Sequence, residues 1–266
     1  MNSFRNTAIK WAYKYWPALY KKRFFKKLNN LNQYNIRKRN VEFEFLLLTK
    51  YLQQDSIFLD VGVNMGSYLY FAEKFITDKN IYGFEPQPAL YKRIKYLFPN
   101  INVYNIALTD TQGILKFKVP MVGNRESTGR GTLKIDYIEE DETSNKIYDV
   151  QANTLDWFVE EKQISKISLI KIDVEGAEIN VIKGGANTIR KFRPILLIEV
   201  EERHHKDKLW NIIQPILNLN YTPYYLDRET FDLIKLKQDT LIYQEITNIK
   251  NKEMYINNFI FLPNSI

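Results

Sequence analysis

Residues 56–61 (Ser-Ile-Phe-Leu-Asp-Val) form an apolar run that passes directly into Gly62-Val-Asn-Met-Gly66. Tyr68, Phe71, Ala72 and Phe75 then repeat at i, i+3, i+4 and i+7. This order reads as strand, tight turn and amphipathic helix. Residues 81–85 are a second strand, ended by Pro86 and Pro88. Pro88 is placed to open a helix carrying Leu90, Ile94 and Leu97. Residues 101–108 read as a third strand. Strands separated by helices of this length require βαβ units and a parallel sheet. The pattern resumes at residues 167–174, a helix near 177–183, and residues 194–200. A last helix carries Leu209, Ile213 and Ile216, and residues 221–226 and 255–262 read as closing strands.

Two segments depart from this rhythm. Residues 113–119 and 148–155 look like strands of a hairpin-type insertion spanning about residues 113–155. Between them, residues 120–146 are rich in Gly, Ser, Thr and charge and read as a mobile loop. The other is the N-terminal arm, residues 1–50. Residues 1–40 hold 11 Lys and Arg and no Asp or Glu, so the net charge of +7 sits there and the rest is mildly acidic. The arm is also aromatic: Phe4, Ala8, Trp11 and Tyr15 share a helical face, and Pro17 should end or kink that helix. Basic and aromatic together suit an anionic membrane surface through residues 1–27. The plainer reading packs the aromatic face on the body. Nucleic acid is disfavoured, because the body is not basic. Residues 43–48 suggest a helix against the sheet. No linker divides residues 51–266.

The chain has no cysteine, which excludes disulfides, zinc fingers and iron–sulfur clusters. Its two histidines, His204 and His205, are adjacent. No apolar run approaches the roughly 18 residues of a membrane span. The expected location is cytoplasmic, with peripheral contact at a membrane surface.

Four groups of residues carry the chemistry. Asp60, Gly62, Asn64 and Gly66 lie between a strand and a helix, where open parallel sheets bind ligands. Only two glycines are present, so this is not the Gly-x-Gly-x-x-Gly fingerprint of nicotinamide enzymes. Glu85 ends the next strand, where a carboxylate can accept both ribose hydroxyls of a nucleoside. Asp110 follows the third strand, placed either to meet the base or simply to form its turn. Lys171-Ile-Asp-Val-Glu-Gly-Ala-Glu178 is the densest group. Asp173 and Glu175 share a strand face if the strand continues. A divalent metal is not expected, although these two carboxylates could hold one.

These motifs give the resemblance. Phe58-Leu-Asp-Val-Gly-Val-Asn-Met-Gly66, Gly83-Phe-Glu-Pro86, Ala107-Leu-Thr-Asp110, Thr154-Leu-Asp156, Lys171–Glu178, Lys183-Gly-Gly-Ala186, Arg193-Pro194 and Ile198-Glu199 resemble, in order, the FkbM-type methyltransferases. Val63 stands where alanine is usual. The resemblance implies the class I methyltransferase (Rossmann-like) α/β sheet of seven strands, mostly parallel with the last antiparallel. It implies S-adenosylmethionine as cofactor, with Asp60, Gly62 and Gly66 framing its methionine and ribose part, Glu85 on the ribose and Asp110 near the adenine. It also implies methylation of a hydroxyl oxygen, here expected on a sugar or glycan. The alternatives are a nicotinamide-dependent oxidoreductase, a non-sugar natural product as acceptor, or a non-enzymatic surface protein. A hydroxyl needs a base to take its proton. Asp173, Glu175, His204 and His205 are the candidates, all just beyond the ends of the fourth and fifth strands.

Overall fold

The structure is a computed structural model that describes residue 11, residues 13–240, residue 244 and residues 253–265. Phe4 and Ala8 of the arm therefore lie outside the described residues.

Five parallel strands form the centre: β1 (Phe58–Val61), β2 (Ile81–Phe84), β3 (Asn102–Tyr104), β8 (Leu169–Ile172) and β9 (Ile195–Glu199). β10 (Tyr221–Leu226), β11 (Leu233–Lys235) and β12 (Asn258–Pro263) complete the order β11-β10-β12-β9-β8-β1-β2-β3. The last strand, β12, is inserted between β9 and β10 and runs antiparallel to both, as expected. The strand count is not as expected. The sheet has eight strands rather than seven, because the chain after β10 turns back as the three-residue edge strand β11.

Strand period assigns the two faces. Phe58 faces one core with Leu169 and Leu197, while Leu59 and Val61 face the other with Ile170, Ile172, Leu196 and Ile198. The first core is roofed by helices Phe45–Tyr51, Ser67–Ala72 and Pro88–Leu97. The second is roofed by Leu155–Glu161, Glu178–Gly184 and Ala186–Phe192. Two short helices, Leu209–Ile212 and Gln214–Leu217, stand where one was expected, with Pro215 in the first turn of the second.

The arm belongs to the first core. Residues 13–15 are helical, Trp16 breaks the run and Pro17 opens a new helix, Pro17–Phe24. Phe25, Leu28, Leu31 and Ile36 are buried in that core, and Phe25 stacks on Tyr70 at 4.6 Å. Lys21 pairs with Glu73 at 2.8 Å.

The insertion makes a second sheet, β4-β7-β5-β6, from β4 (Ala107–Leu108), β5 (Gly113–Val122), β6 (Arg125–Glu126) and β7 (Ser144–Asn153). The third strand is thus split. The Asn105 amide donates to the carbonyls of Glu85 and Pro86, both at 2.8 Å, and diverts the chain from β3 into β4. Residues 120–146 are not the free loop expected. Lys118 and Thr132 exchange backbone hydrogen bonds at 2.8 Å, and buried Lys118 pairs with Glu142 at 3.1 Å. Polar composition suggested solvent exposure, but these charges are buried as partners.

Candidate active site

The loop after β1 is shaped by close approach. Gly62 has φ +88°, and a Cβ there would lie 1.8 Å from the Asp173 carbonyl oxygen. Gly66 and Asn64 are also left-handed. Register places Asp60 opposite Lys171 across β1 and β8, with 3.8 Å between their charged atoms. Asp60 is buried, and neither of its carboxylate oxygens has a hydrogen-bond partner among the described residues. Burial pushes its carboxyl up to about 7 against the pull of Lys171. Burial also opposes the charge of Lys171, but Asp173 and Asp60 outweigh it and hold the ammonium above its ordinary range.

Glu85 stands beside this loop. Its Oε2 accepts the Asn64 N–H at 2.7 Å and its Oε1 the Gln87 N–H at 2.8 Å. Burial pushes the carboxyl up to about 8, opposed by those two hydrogen bonds. Gly62, Asn64, Glu85, Phe117, Asp173 and Glu175 line one cavity, about 380 Å³ counted with its open mouth. Asp110 is not in that lining. It is exposed and accepts from the Asn180 amide at 2.8 Å.

The second cluster follows β8, which ends at Ile172. Asp173 and Glu175 therefore do not share a strand face, and Glu175 is left-handed with φ 53°. Glu178 Oε1 accepts the N–H groups of Val174 and Gly176 at 3.2 and 2.8 Å, folding the turn onto the next helix. The four candidate bases fall into three environments. Asp173 pairs with Lys171 at 2.9 Å and keeps a quarter of its side chain exposed toward the cavity. Glu175 meets His204 at 3.4 Å. His205 faces Glu178 at 3.7 Å and lies 3.4 Å from Lys134 Nζ. Burial raises both Asp173 and Glu175. Asp173 and Glu201 push Glu175 further up, against the pull of Arg203.

The insertion contributes residues that no sequence spacing marked. Glu139 pairs with Arg203 at 2.6 Å and stands 3.8 Å from His204. Burial opposes its charge, but His204, Arg203 and Arg130 hold its carboxyl down to about 2. Tyr137 meets the His204 ring edge-on at 5.0 Å. Thr132 Oγ1 donates to the Glu175 carbonyl at 2.7 Å. Gly131 and Glu175 line the cavity, while their near neighbours in the chain, Leu133 and Gly176, line a groove of about 1560 Å³ with its mouth, together with Lys134, Tyr137, Asn180, His204 and His205.

With this geometry in place, similarity to known proteins becomes decisive. Residues 60–235 match the family described as "Methyltransferase FkbM domain". The chain belongs to the FkbM methyltransferase family. The hexuronic acid methyltransferase AglP of Haloferax volcanii is 23% identical over 158 residues, covering 57% of this chain and 59% of that protein. The 2-O-methyltransferase NoeI of Sinorhizobium fredii is 28% identical over 152 residues, covering 52% and 61%. The chain thus spans about three fifths of these relatives. The solved structure of Methyltransferase FkbM from Methylobacillus flagellatus KT aligns with TM-score 0.48 and 14% identity, over 77% of this chain and 43% of that one.

The residues present fit the S-adenosylmethionine that an FkbM fold uses. Each Glu85 oxygen has accepted one N–H and keeps a lone pair for a ribose hydroxyl. Asn64 Oδ1 is buried without a partner in the cavity lining. Gly62 lets the loop lie directly against the Asp173 backbone, which brings both into one cavity lining. FkbM membership also sets aside the nicotinamide reading of the sheet. Among the described residues, no helix is long and apolar enough to cross a membrane.

Proposed function

We propose that this chain methylates a hydroxyl oxygen of a sugar or glycan with S-adenosylmethionine, and that Asp173 takes the hydroxyl proton. The observation that carries this is that adjoining residues line the two spaces: Gly131 and Glu175 the Glu85 cavity, Leu133 and Gly176 the groove, with the Thr132–Glu175 hydrogen bond between them. When bound, S-adenosylmethionine supplies an electrophilic methyl carbon whose bonding pair leaves with sulfur. Glu85 and the residue 62–66 loop hold the nucleoside. Asp173, with a quarter of its side chain exposed at the cavity and fixed by Lys171, receives the proton as the oxygen–carbon bond forms. Groove residues Tyr137, Asn180 and Asn211 offer the ring face and amides that sugars use. The name of AglP supports a sugar acid as acceptor, and that of NoeI supports oxygen as the atom methylated.

The test is transfer of labelled methyl from S-adenosylmethionine to a panel of hexose and hexuronic-acid glycans, with mass spectrometry of the products. A methyl ether on a sugar oxygen supports the reading, and label found only on non-sugar acceptors overturns the substrate class. Asp173→Asn should lower turnover by about a hundredfold or more with cofactor affinity retained. Near-normal turnover in the folded variant removes Asp173 from the role.

A further inference from the structure

We infer that Glu139, Glu175 and His204 form a binding site for a divalent transition-metal ion. They come from three separate segments: the insertion, the turn after β8 and the turn after β9. One ligand atom from each lies within 4.8 Å of the others. His204 Nε2 stands 3.4 Å from Glu175 Oε2 and 3.8 Å from Glu139 Oε1. Two ligands about 2.1 Å from one ion stand about 3.4 Å apart at the tetrahedral angle. The observed spacings are those of groups facing a shared ion, and they are long for direct N–H···O bonds.

A second observation is independent of this spacing. His204 is 7% exposed, and its Nε2 has no hydrogen-bond partner among the described residues. Glu175 Oε2, facing it at 3.4 Å, is a buried atom with no hydrogen-bond partner either, Arg203 standing off at 3.7 Å. Buried polar atoms are almost always satisfied, so two facing each other mark a place for a third group. The surroundings favour a cation there. Glu139, Glu175 and Glu201 crowd around Arg203, and Arg130 reaches Glu139 only at 3.6 Å. Arg203 engages Glu139 through Oε2, leaving Oε1 turned toward His204. An oriented ligand held by an outer partner is the usual build of a metal site.

Ligand chemistry narrows the ion. One imidazole with two carboxylates suits Mn²⁺, Fe²⁺, Co²⁺ or Zn²⁺, whereas Mg²⁺ and Ca²⁺ prefer oxygen alone. His204 belongs to the groove lining and Glu175 to the cavity lining, so the cluster stands between the two.

The full chain, stripped of metal with a chelator, should be titrated with Mn²⁺ followed by electron paramagnetic resonance, and with Co²⁺ followed by visible absorption. One ion per chain is expected. His204→Ala and Glu175→Gln should each weaken binding by more than about a hundredfold, beyond the usual effect of losing an outer partner. His205→Ala should leave it unchanged. Circular dichroism confirms that each variant is folded, and Glu139→Gln replaces either one that is not. The inference is overturned if the wild-type chain binds no stoichiometric ion, or if binding survives either ligand substitution. This titration needs neither methyl donor nor acceptor, so its failure and that of the methyl-transfer reading are separate results.

Discussion

The Asn64 N–H donates to Glu85 Oε2 at 2.7 Å, tying the loop after β1 to the end of β2. One carboxylate thus shapes the loop, and in the proposed function its remaining lone pairs meet the nucleoside. Glu85→Ala should weaken S-adenosylmethionine binding by about 1–3 kcal/mol, the usual cost of removing one partner from buried hydrogen bonds. Calorimetric titration of the folded variant checks this. Unchanged affinity would remove Glu85 from the cofactor site.

The same carboxyl makes stability depend on pH. Its folded value of about 8 lies above the ordinary 4.5, so the folded chain holds the proton more tightly than the unfolded one. Its stabilising contribution is full below about pH 4.5 and is lost as pH rises through about 8. Asp60 adds the same sign between 3.8 and about 7. Without cofactor, the chain should unfold at lower denaturant near pH 8.5 than near pH 5.5. Glu85→Gln should flatten that difference, and an equal pH slope in the variant would show that the stability change arises elsewhere.

Gly62→Ala should be severe. The new Cβ meets the Asp173 carbonyl oxygen at 1.8 Å, and φ +88° is unfavourable to any side chain. Backbone strain and overpacking together should cost about 3 kcal/mol or more. A melting temperature within a degree or two of wild type would mean that β1 and β8 are not held this closely in solution.

The central sheet was legible because its signals are local. Apolar runs, the Gly62–Gly66 turn and Pro88 each act within a few residues. Residues 101–108 were read as one strand, since nothing nearby shows that the Asn105 amide will bind the chain at Glu85 and Pro86. The edge strand β11 has only Leu233, Ile234 and Lys235 to announce it. The acceptor side was least legible. The strand ends point to Asp173, Glu175, His204 and His205 but not to their three separate environments, and Glu139 lies in a polar segment that meets Arg203 only through the fold. Long-range ion pairs such as Glu139–Arg203 leave no periodic mark in sequence.

The last prediction concerns the basic arm. Trp16 and Leu19 are exposed on or beside the helix Pro17–Phe24, next to exposed Lys22, Arg23, Lys26 and Lys27. We propose that this surface contacts anionic lipid. Deleting residues 1–27 is a poor test, because Phe25 is buried against Tyr70 and Lys21 is paired with Glu73. Loss of a buried phenylalanine alone costs about 3–5 kcal/mol. Point substitutions at exposed positions avoid that. Combined Lys22→Glu, Arg23→Glu and Lys27→Glu should leave the melting temperature and cofactor affinity near wild type. They should also reduce co-sedimentation with phosphatidylserine vesicles at low salt. Trp16→Ser with Leu19→Ser should reduce it too, by removing the apolar part of the contact. Added salt should mimic the charge substitutions, since screening acts on exposed charges. It should add little to vesicle release once they are in place. Equal sedimentation of wild type and both variants at low salt would remove the lipid contact from this surface.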